Sequence, residues 1–291
     1  MAKVRNAANT IRQGRIGENT WYVRDGVQVV RQRLQNSNYG EGARRSSAQQ
    51  ERRAKWGNLV NFYKAIKSWQ PKAYESLKKG VTDYNAFMQL NANSTRVYLT
   101  RQLVEAGAAV LDHYRISKGS LPSIDLDESE GDAKQNPVVY ITVTIAISSS
   151  TTVGALSADI IANNENFLDG DNLAFIALWQ TSGGNGLARV SQKYFEFTLD
   201  SNSSETLSEA GITFLAKEGN SILFTPTGVT EQANNGAAVI HTRQVGASLQ
   251  VSSQSIWVLS SPSSDYTDDA AKAAAIASYG VDGDVPLAPG E

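Results

Sequence analysis

Few residues in this chain have the types and spacing that chemistry requires. There are two histidines, His113 and His241, and no cysteine. A metal site or a hydrolytic triad needs convergent groups, and nothing in the sequence places a second ligand near either histidine. The absence of cysteine removes thiolate nucleophiles, disulfides and cysteine-based metal sites together. Asp169-Gly170-Asp171 and Asp282-Gly283-Asp284 resemble calcium loops only faintly. Both lack the alternating ligands and the terminal bidentate glutamate, so turns are expected instead. Gly14-x-x-Gly17 has neither the Lys-Ser/Thr of a phosphate loop nor the third glycine of a dinucleotide fingerprint. Gly183-Gly-Asn-Gly186 reads as a hairpin tip. Acidic residues are plentiful, but nothing selects a pair for acid–base work. The chain is therefore expected to carry no catalytic residue, metal or cofactor.

The stronger signal is charge. The net charge is −2, yet residues 1–120 hold 21 Lys and Arg against 8 Asp and Glu, while residues 121–291 hold 6 against 21. Such an imbalance suits a nucleic acid, another partner or a second copy of the same chain. A basic half meeting an acidic half is also the head-to-tail contact that generates rings and filaments. The cluster Arg44, Arg45, Arg52, Arg53 and Lys55 stands near the start of a predicted helix, where positive charge opposes the helix dipole. Trp56, Tyr63 and Trp69 have the spacing of a core stripe; stacking on bases is the alternative.

The elements that must position these residues change period along the chain. Residues 1–13 read as a basic polar arm with no secretory signal. The β-rich runs 20–24 and 27–33, joined by Asp25-Gly26, predict a hairpin whose apolar face (Trp21 or Tyr22, with Val29) must dock on something. Apolar positions at three- and four-residue spacing predict a helix over 46–69, then two more over 71–79 and 82–90. Residues 103–111 suit a helix, while 108–116 equally suit a strand; helix or loop followed by strand is the reading taken. Residues 123–136 are acidic and read as an exposed linker. Beyond it, eight short runs (138–147, 173–181, 189–199, 212–216, 222–225, 237–242, 248–252, 256–260) predict an antiparallel sandwich or barrel. One helical turn is expected within 157–171 and a short helix over 268–279, followed by an extension to residue 291. No run is long and apolar enough for a membrane span.

The expected class is α+β. It comprises an arm (1–13), a hairpin and helical assembly module (14–122), a linker (123–136), a β-sandwich (137–262) and a terminal helix with extension (263–291).

The stretch Gly14-Arg-Ile-Gly-Glu-Asn-Thr-Trp-Tyr-Val-Arg-Asp-Gly-Val-Gln-Val-Val-Arg31 resembles the opening of a protein family from phages and mobile elements of gut Bacteroidota. Gln49, Gln50, Arg53, Trp56, Phe62 and Trp69 are similar to that family's following helices. Tyr114-Arg-Ile-Ser-Lys-Gly-Ser-Leu-Pro122 also looks familial, and Asp171-Asn-Leu-Ala-Phe-Ile-Ala-Leu178 resembles a stretch of its sandwich. The resemblance covers residues 10–122 and, beyond them, architecture alone. It implies a virion structural protein of a crAss-like phage and carries over no catalytic residue. The expected role is a subunit of the head–tail connector or tail hub, located in the virion. Its partners would be copies of itself and portal, ring or tail components, with packaged DNA as a further contact. Gly14, Gly17, Trp21, Arg24, Arg31, Arg44, Arg45, Arg52 and Arg53 are the expected interface residues. A receptor- or glycan-binding module centred near Trp179 or Trp257 is the alternative.

Overall fold

The computed structural model describes residues 14–16, 19–24, 27–32, 47–69, 73–78, 80–130, 136–182, 187–227 and 235–279. It is an α+β fold built on antiparallel sheets. The predicted hairpin forms, as β2 (Asn19–Arg24) and β3 (Val27–Gln32), and gains a third strand, β1 (Gly14–Ile16), in the order β1-β2-β3. Its Asp25-Gly26 turn lies outside the described residues. Tyr22 faces Val29 and Trp21 faces Val30 across the ladder, so apolar residues stand on both faces.

The predicted long helix is α1 (Ser47–Ile66), and α2 (Asp83–Asn91) follows with Thr82 as its N-cap. Within 71–79, where a helix was expected, the described residues 73–78 form none. Residues 73–78 are extended or bent, with Ser76 at a φ of 51°. Tertiary pairing overrides the helical pattern: Glu75 N donates to Lys118 O and Lys118 N to Ala73 O, each at 3.0 Å. Ala73 and Tyr74 enter the core as a result.

After α3 (Arg101–Glu105), residues 108–124 run extended without joining a regular ladder. Buried backbone groups still need partners. Side-chain amides supply them. Asn58 receives Val110 N (2.8 Å) and donates to Val110 O (3.1 Å). Asn91 receives Arg115 N and donates to Arg115 O, both at 2.8 Å. Gln180 receives Leu111 N (2.8 Å), and Gln254 pairs with both backbone groups of Ile124 (3.1 and 2.6 Å). Each amide acts as one peptide unit of a missing neighbour strand.

The acidic stretch expected as an exposed linker contributes β4 (Leu126–Glu128), and Ile124 and Ser129 are buried. It opens a four-stranded sheet, β4-β5-β9-β8, with β5 (Pro137–Val139), β8 (Leu215–Glu218) and β9 (Ser221–Phe224). The strand expected over 138–147 stops at Val139. Farther on, the backbone leans on the side chains of Asn164 and Asp159: Thr142 N donates to Asn164 Oδ1 (2.9 Å) and Thr144 N to Asp159 Oδ2 (2.6 Å). Both residues belong to α4 (Val153–Asn163) or its C-cap. That helix has three turns rather than the expected one, because Thr152 caps it and Val153, Leu156 and Ile160 give it a core face.

The second sheet runs β11-β10-β6-β7 with β12 (Trp257–Val258) beside β10. Its strands are β6 (Asn172–Ser182), β7 (Ala188–Thr198), β10 (Asn235–Val245) and β11 (Ser248–Val251). Two-residue hairpins close β8–β9 and β10–β11, each with a glycine at positive φ (Gly219 at 58°, Gly246 at 59°). Two short helices, α5 (Ser264–Thr267) and α6 (Asp269–Ser278), end the described chain, and α6 packs on α1.

The layers share the β6–β10 ladder. Leu173, Phe175, Ala177, Ala237 and Val239 face a core built with the four-stranded sheet and α4. Ala174, Ile176, Leu178, Ala238 and Ile240 face a second core built with α1, α2 and residues 109–116. Helices, five-stranded sheet and four-stranded sheet thus form three layers.

The extended segment is fitted tightly against the end of β11. A Cβ on Gly119 would lie 2.0 Å from the Val251 carbonyl oxygen, a backbone atom. Gly119→Ala should therefore destabilise the protein by about 1–3 kcal/mol, the usual cost of overpacking. Urea unfolding followed by circular dichroism would measure it, and an unchanged midpoint would contradict the close approach.

Candidate functional site

Helix α1 carries two stripes. Leu59, Phe62, Ile66 and Trp69 recur at three- and four-residue spacing and are buried in the core shared with the sheet. Arg53, Trp56, Gly57, Val60 and Lys64 follow the same spacing on another face and line an open groove of about 500 Å3. Val104, next to the end of α3, and Tyr279, the C-cap of α6, form its other wall. Gly57 lets α3 approach: a Cβ there would lie 2.3 Å from a Val104 methyl. Asn61 fixes the same junction by donating to Val104 O (3.0 Å) and Ala108 O (2.9 Å).

The groove is mostly apolar with a cationic rim. Lys55 and Lys272 are engaged elsewhere, on Glu51 at 3.1 and 3.4 Å and over the Tyr98 ring. Arg52 and Arg53 are exposed, and neither joins an ion pair among the described residues. Burial, with Glu105 nearby, raises the Tyr279 phenol above its ordinary range, so the phenol itself adds no negative charge. Trp56 was expected in the core stripe. It is 45% exposed, because it sits on the groove side of α1, whereas Trp69 is buried and Tyr63 packs against Tyr84 and Phe87.

The expected interface residues fall into two groups. Arg52 and Arg53 meet Trp56 at the groove. Gly14 (φ 107°), Trp21, Arg24 and Arg31 belong to the β1–β3 sheet, where Trp21 is half-buried and Arg31 exposed. Gly17, Arg44 and Arg45 lie outside the described residues.

A second concavity, about 700 Å3, opens where residues 113–125 run beside 253–257. His113, Arg115 and Lys118 stand on one side, Asp125 on another, and Trp257 forms part of the wall. The His113 ring nitrogen Nδ1 lies 3.3 Å from Ile256 O. Strand-like alternation along 113–116, with 113 and 115 exposed and 114 and 116 buried, aims these side chains outward.

Nothing in the sequence places a partner beside His241, and the fold supplies one. His241 Nε2 lies 2.8 Å from Asp171 Oδ2. Arg243 donates to both carboxylate oxygens of Asp171 at 2.7 Å through Nε and Nη2, and Nη2 also reaches Asn166 O. Leu168 N completes the cage at 2.8 Å. His241 and Asp171 are each 1% exposed. The alternation His241-x-Arg243 on β10 was the available signal; the register pairing His241 with Leu173 was not legible. Burial disfavours the Asp171 charge, but hydrogen bonds from Arg243, His241 and Leu168 outweigh it and hold the carboxyl at about 2, below its ordinary 3.8. The cluster ties the start of β6 to β10, and Asp171 is fully committed to it. Asp169, the other carboxylate of the Asp-Gly-Asp turn, accepts from Ser201 N at 2.7 Å. Among the described residues no three His, Asp or Glu side chains converge as metal ligands would, and no helix is long and apolar enough to cross a membrane.

No family model, curated protein or solved structure matches the chain. The class is therefore defined by architecture: an α+β protein in which one antiparallel sheet lies between a helical layer and a second sheet, with a cationic groove on the helical side.

Because the Asp171 carboxyl is depressed, its contribution to stability is complete above the unfolded-chain value near 4 and is lost as pH falls towards about 2. Asp171→Asn leaves Arg243 and His241 without their anion and should cost about 3 kcal/mol at neutral pH. The stability difference from the unsubstituted chain should shrink below pH 4, as thermal melts across pH 2–7 would measure.

Proposed function

We propose that this chain is a structural subunit of a tailed-phage particle, at the head–tail connector or tail hub, working by subunit–subunit docking. One observation carries the reading. The basic half bears exposed arginines around an aromatic groove, and the compensating acid is concentrated in the other half of the same sequence. Complementary surfaces on one chain favour heterologous contacts between copies. The resemblance of residues 10–122 to virion proteins of crAss-like phages supports the same role. The small β1–β3 sheet adds a docking element: Tyr22 and Val30 expose apolar side chains at 41% and 47%, on opposite faces. Oligomers of the chain, joined by groove and hairpin, would meet portal, ring or tail proteins in the virion.

Glutamate at Arg44, Arg45, Arg52 and Arg53 together should weaken self-association at least about 100-fold while the sheets remain folded. Sedimentation velocity and circular dichroism measure the two outcomes. Assembly by that variant at the unsubstituted concentration would refute the docking role, and absence of the protein from purified virions by mass spectrometry would refute the location.

A second reading is glycan or receptor binding, favoured by the 700 Å3 concavity. It sets Trp257 beside His113, Arg115 and Asp125, an aromatic surface with polar groups such as sugars use. In that case a glycan array gives hits that Trp257→Ala reduces about tenfold or more. An array without hits for the unsubstituted chain eliminates this reading.

A further inference from the structure

The groove on α1 has a chemically matched segment of the chain at its rim. Tyr279 lines the groove, and the next twelve residues, 280–291, lie outside the described residues. They read Gly-Val-Asp-Gly-Asp-Val-Pro-Leu-Ala-Pro-Gly-Glu: three acids, no Lys or Arg, and the apolar Val281, Val285, Pro286, Leu287 and Pro289. The groove is the complement, apolar along Trp56, Gly57, Val60 and Val104, with Arg52, Arg53 and Lys64 as cations. The lengths also agree. From Arg53 to Lys64 the helix rises about 16 Å, at 1.5 Å per residue. Extended chain covers that in roughly five residues, so twelve leave slack for entry. The prolines lower the entropy lost when such a segment is fixed in extended form.

We propose that residues 280–291 dock in the α1 groove of their own chain, as an extended acidic and apolar peptide. Asp282 and Asp284 meet the Arg52 and Arg53 end, and the Val285-Pro286-Leu287 run lies on Trp56 and Val60. The same chain is the source because the segment starts at the groove wall. A short tether gives an effective concentration in the millimolar range, well above what a neighbouring copy supplies at micromolar protein. This goes beyond the assembly role: it concerns the isolated chain and names an occupant that a neighbour's acidic surface would have to displace.

The lack of cysteine makes the test direct. Lys64→Cys with Ala288→Cys in the full chain, oxidised at micromolar concentration, should give a disulfide within one chain. It would be seen as a monomer of altered mobility on a non-reducing gel, reversed by reductant. Arg52→Glu with Arg53→Glu in that background should cut the yield at least about fivefold. Asp282→Lys with Asp284→Lys, which leaves α1 untouched, should do the same and covers the case in which the arginine variant misfolds. Disulfide-linked dimers as the main product would overturn the proposal in favour of a neighbour's segment. No disulfide, or a yield indifferent to both charge reversals, would overturn it outright.

Discussion

The constraint on which the rest of the structure depends is burial of the β6–β10 ladder on both faces. An antiparallel sheet usually leaves one face to water and shows an alternating sequence. Here Leu173 to Leu178 is an unbroken apolar run, and so is Ala237 to Ile240. Each face needs its own cover. The four-stranded sheet and α4 cover one; α1, α2 and the extended residues 109–116 cover the other. Fully burying side chains such as Ile176 or Phe175 stabilises the fold by about 1.5–3 kcal/mol each. Removing either outer layer would forfeit several such contributions at once. The helical and sheet portions are consequently joined by a common core rather than simply placed in series.

That arrangement explains a second feature, the use of amide side chains as pieces of strand. The extended segment 108–124 runs over the helical face of the sheet and meets α1, α2 and the edge of β11 at irregular spacing. No single strand could pair with it throughout. Asn58, Asn91, Gln180 and Gln254 each reach it from a different element and satisfy a donor, an acceptor or both. Unpaired, each buried backbone group would cost about 1–3 kcal/mol. The same solution recurs where Asp159 and Asn164 hold residues 142–145. The Asp171–His241–Arg243 cage belongs to this group as well, closing one end of the ladder with charge instead of backbone pairing.

The groove on α1 follows from this packing. Once one stripe of α1 is committed to the sheet, the stripe with Arg53, Trp56 and Lys64 is left to be covered by α3 and α6. Those helices are short and cover it only in part. An exposed tryptophan beside two exposed arginines is then a consequence of how the helix is anchored. It gives the basic half of the chain an apolar groove rimmed by cations.

Local pattern in the sequence determined much of this. The paired strands β2 and β3, helix α1, the Thr82-capped α2, the alanine-rich α6 and seven of the eight C-terminal β runs stand close to where periodicity and turn residues put them. Local backbone preference and burial agree there. The charge division between the halves, and Arg52 and Arg53 as exposed cations, were legible for the same reason. What the sequence could not determine were features set by distant partners. The helical pattern over 71–79 yields to pairing with Lys118. Residues 126–128 of the acidic stretch form strand β4 because β5 offers them a ladder. Trp56 leaves the core because α1 buries a neighbouring stripe. His241 acquires Asp171 only through a register between residues 70 apart. Periodicity reports which residues can share a face; only the tertiary structure decides which face is covered and by what, because burial depends on contacts between residues far apart in the chain.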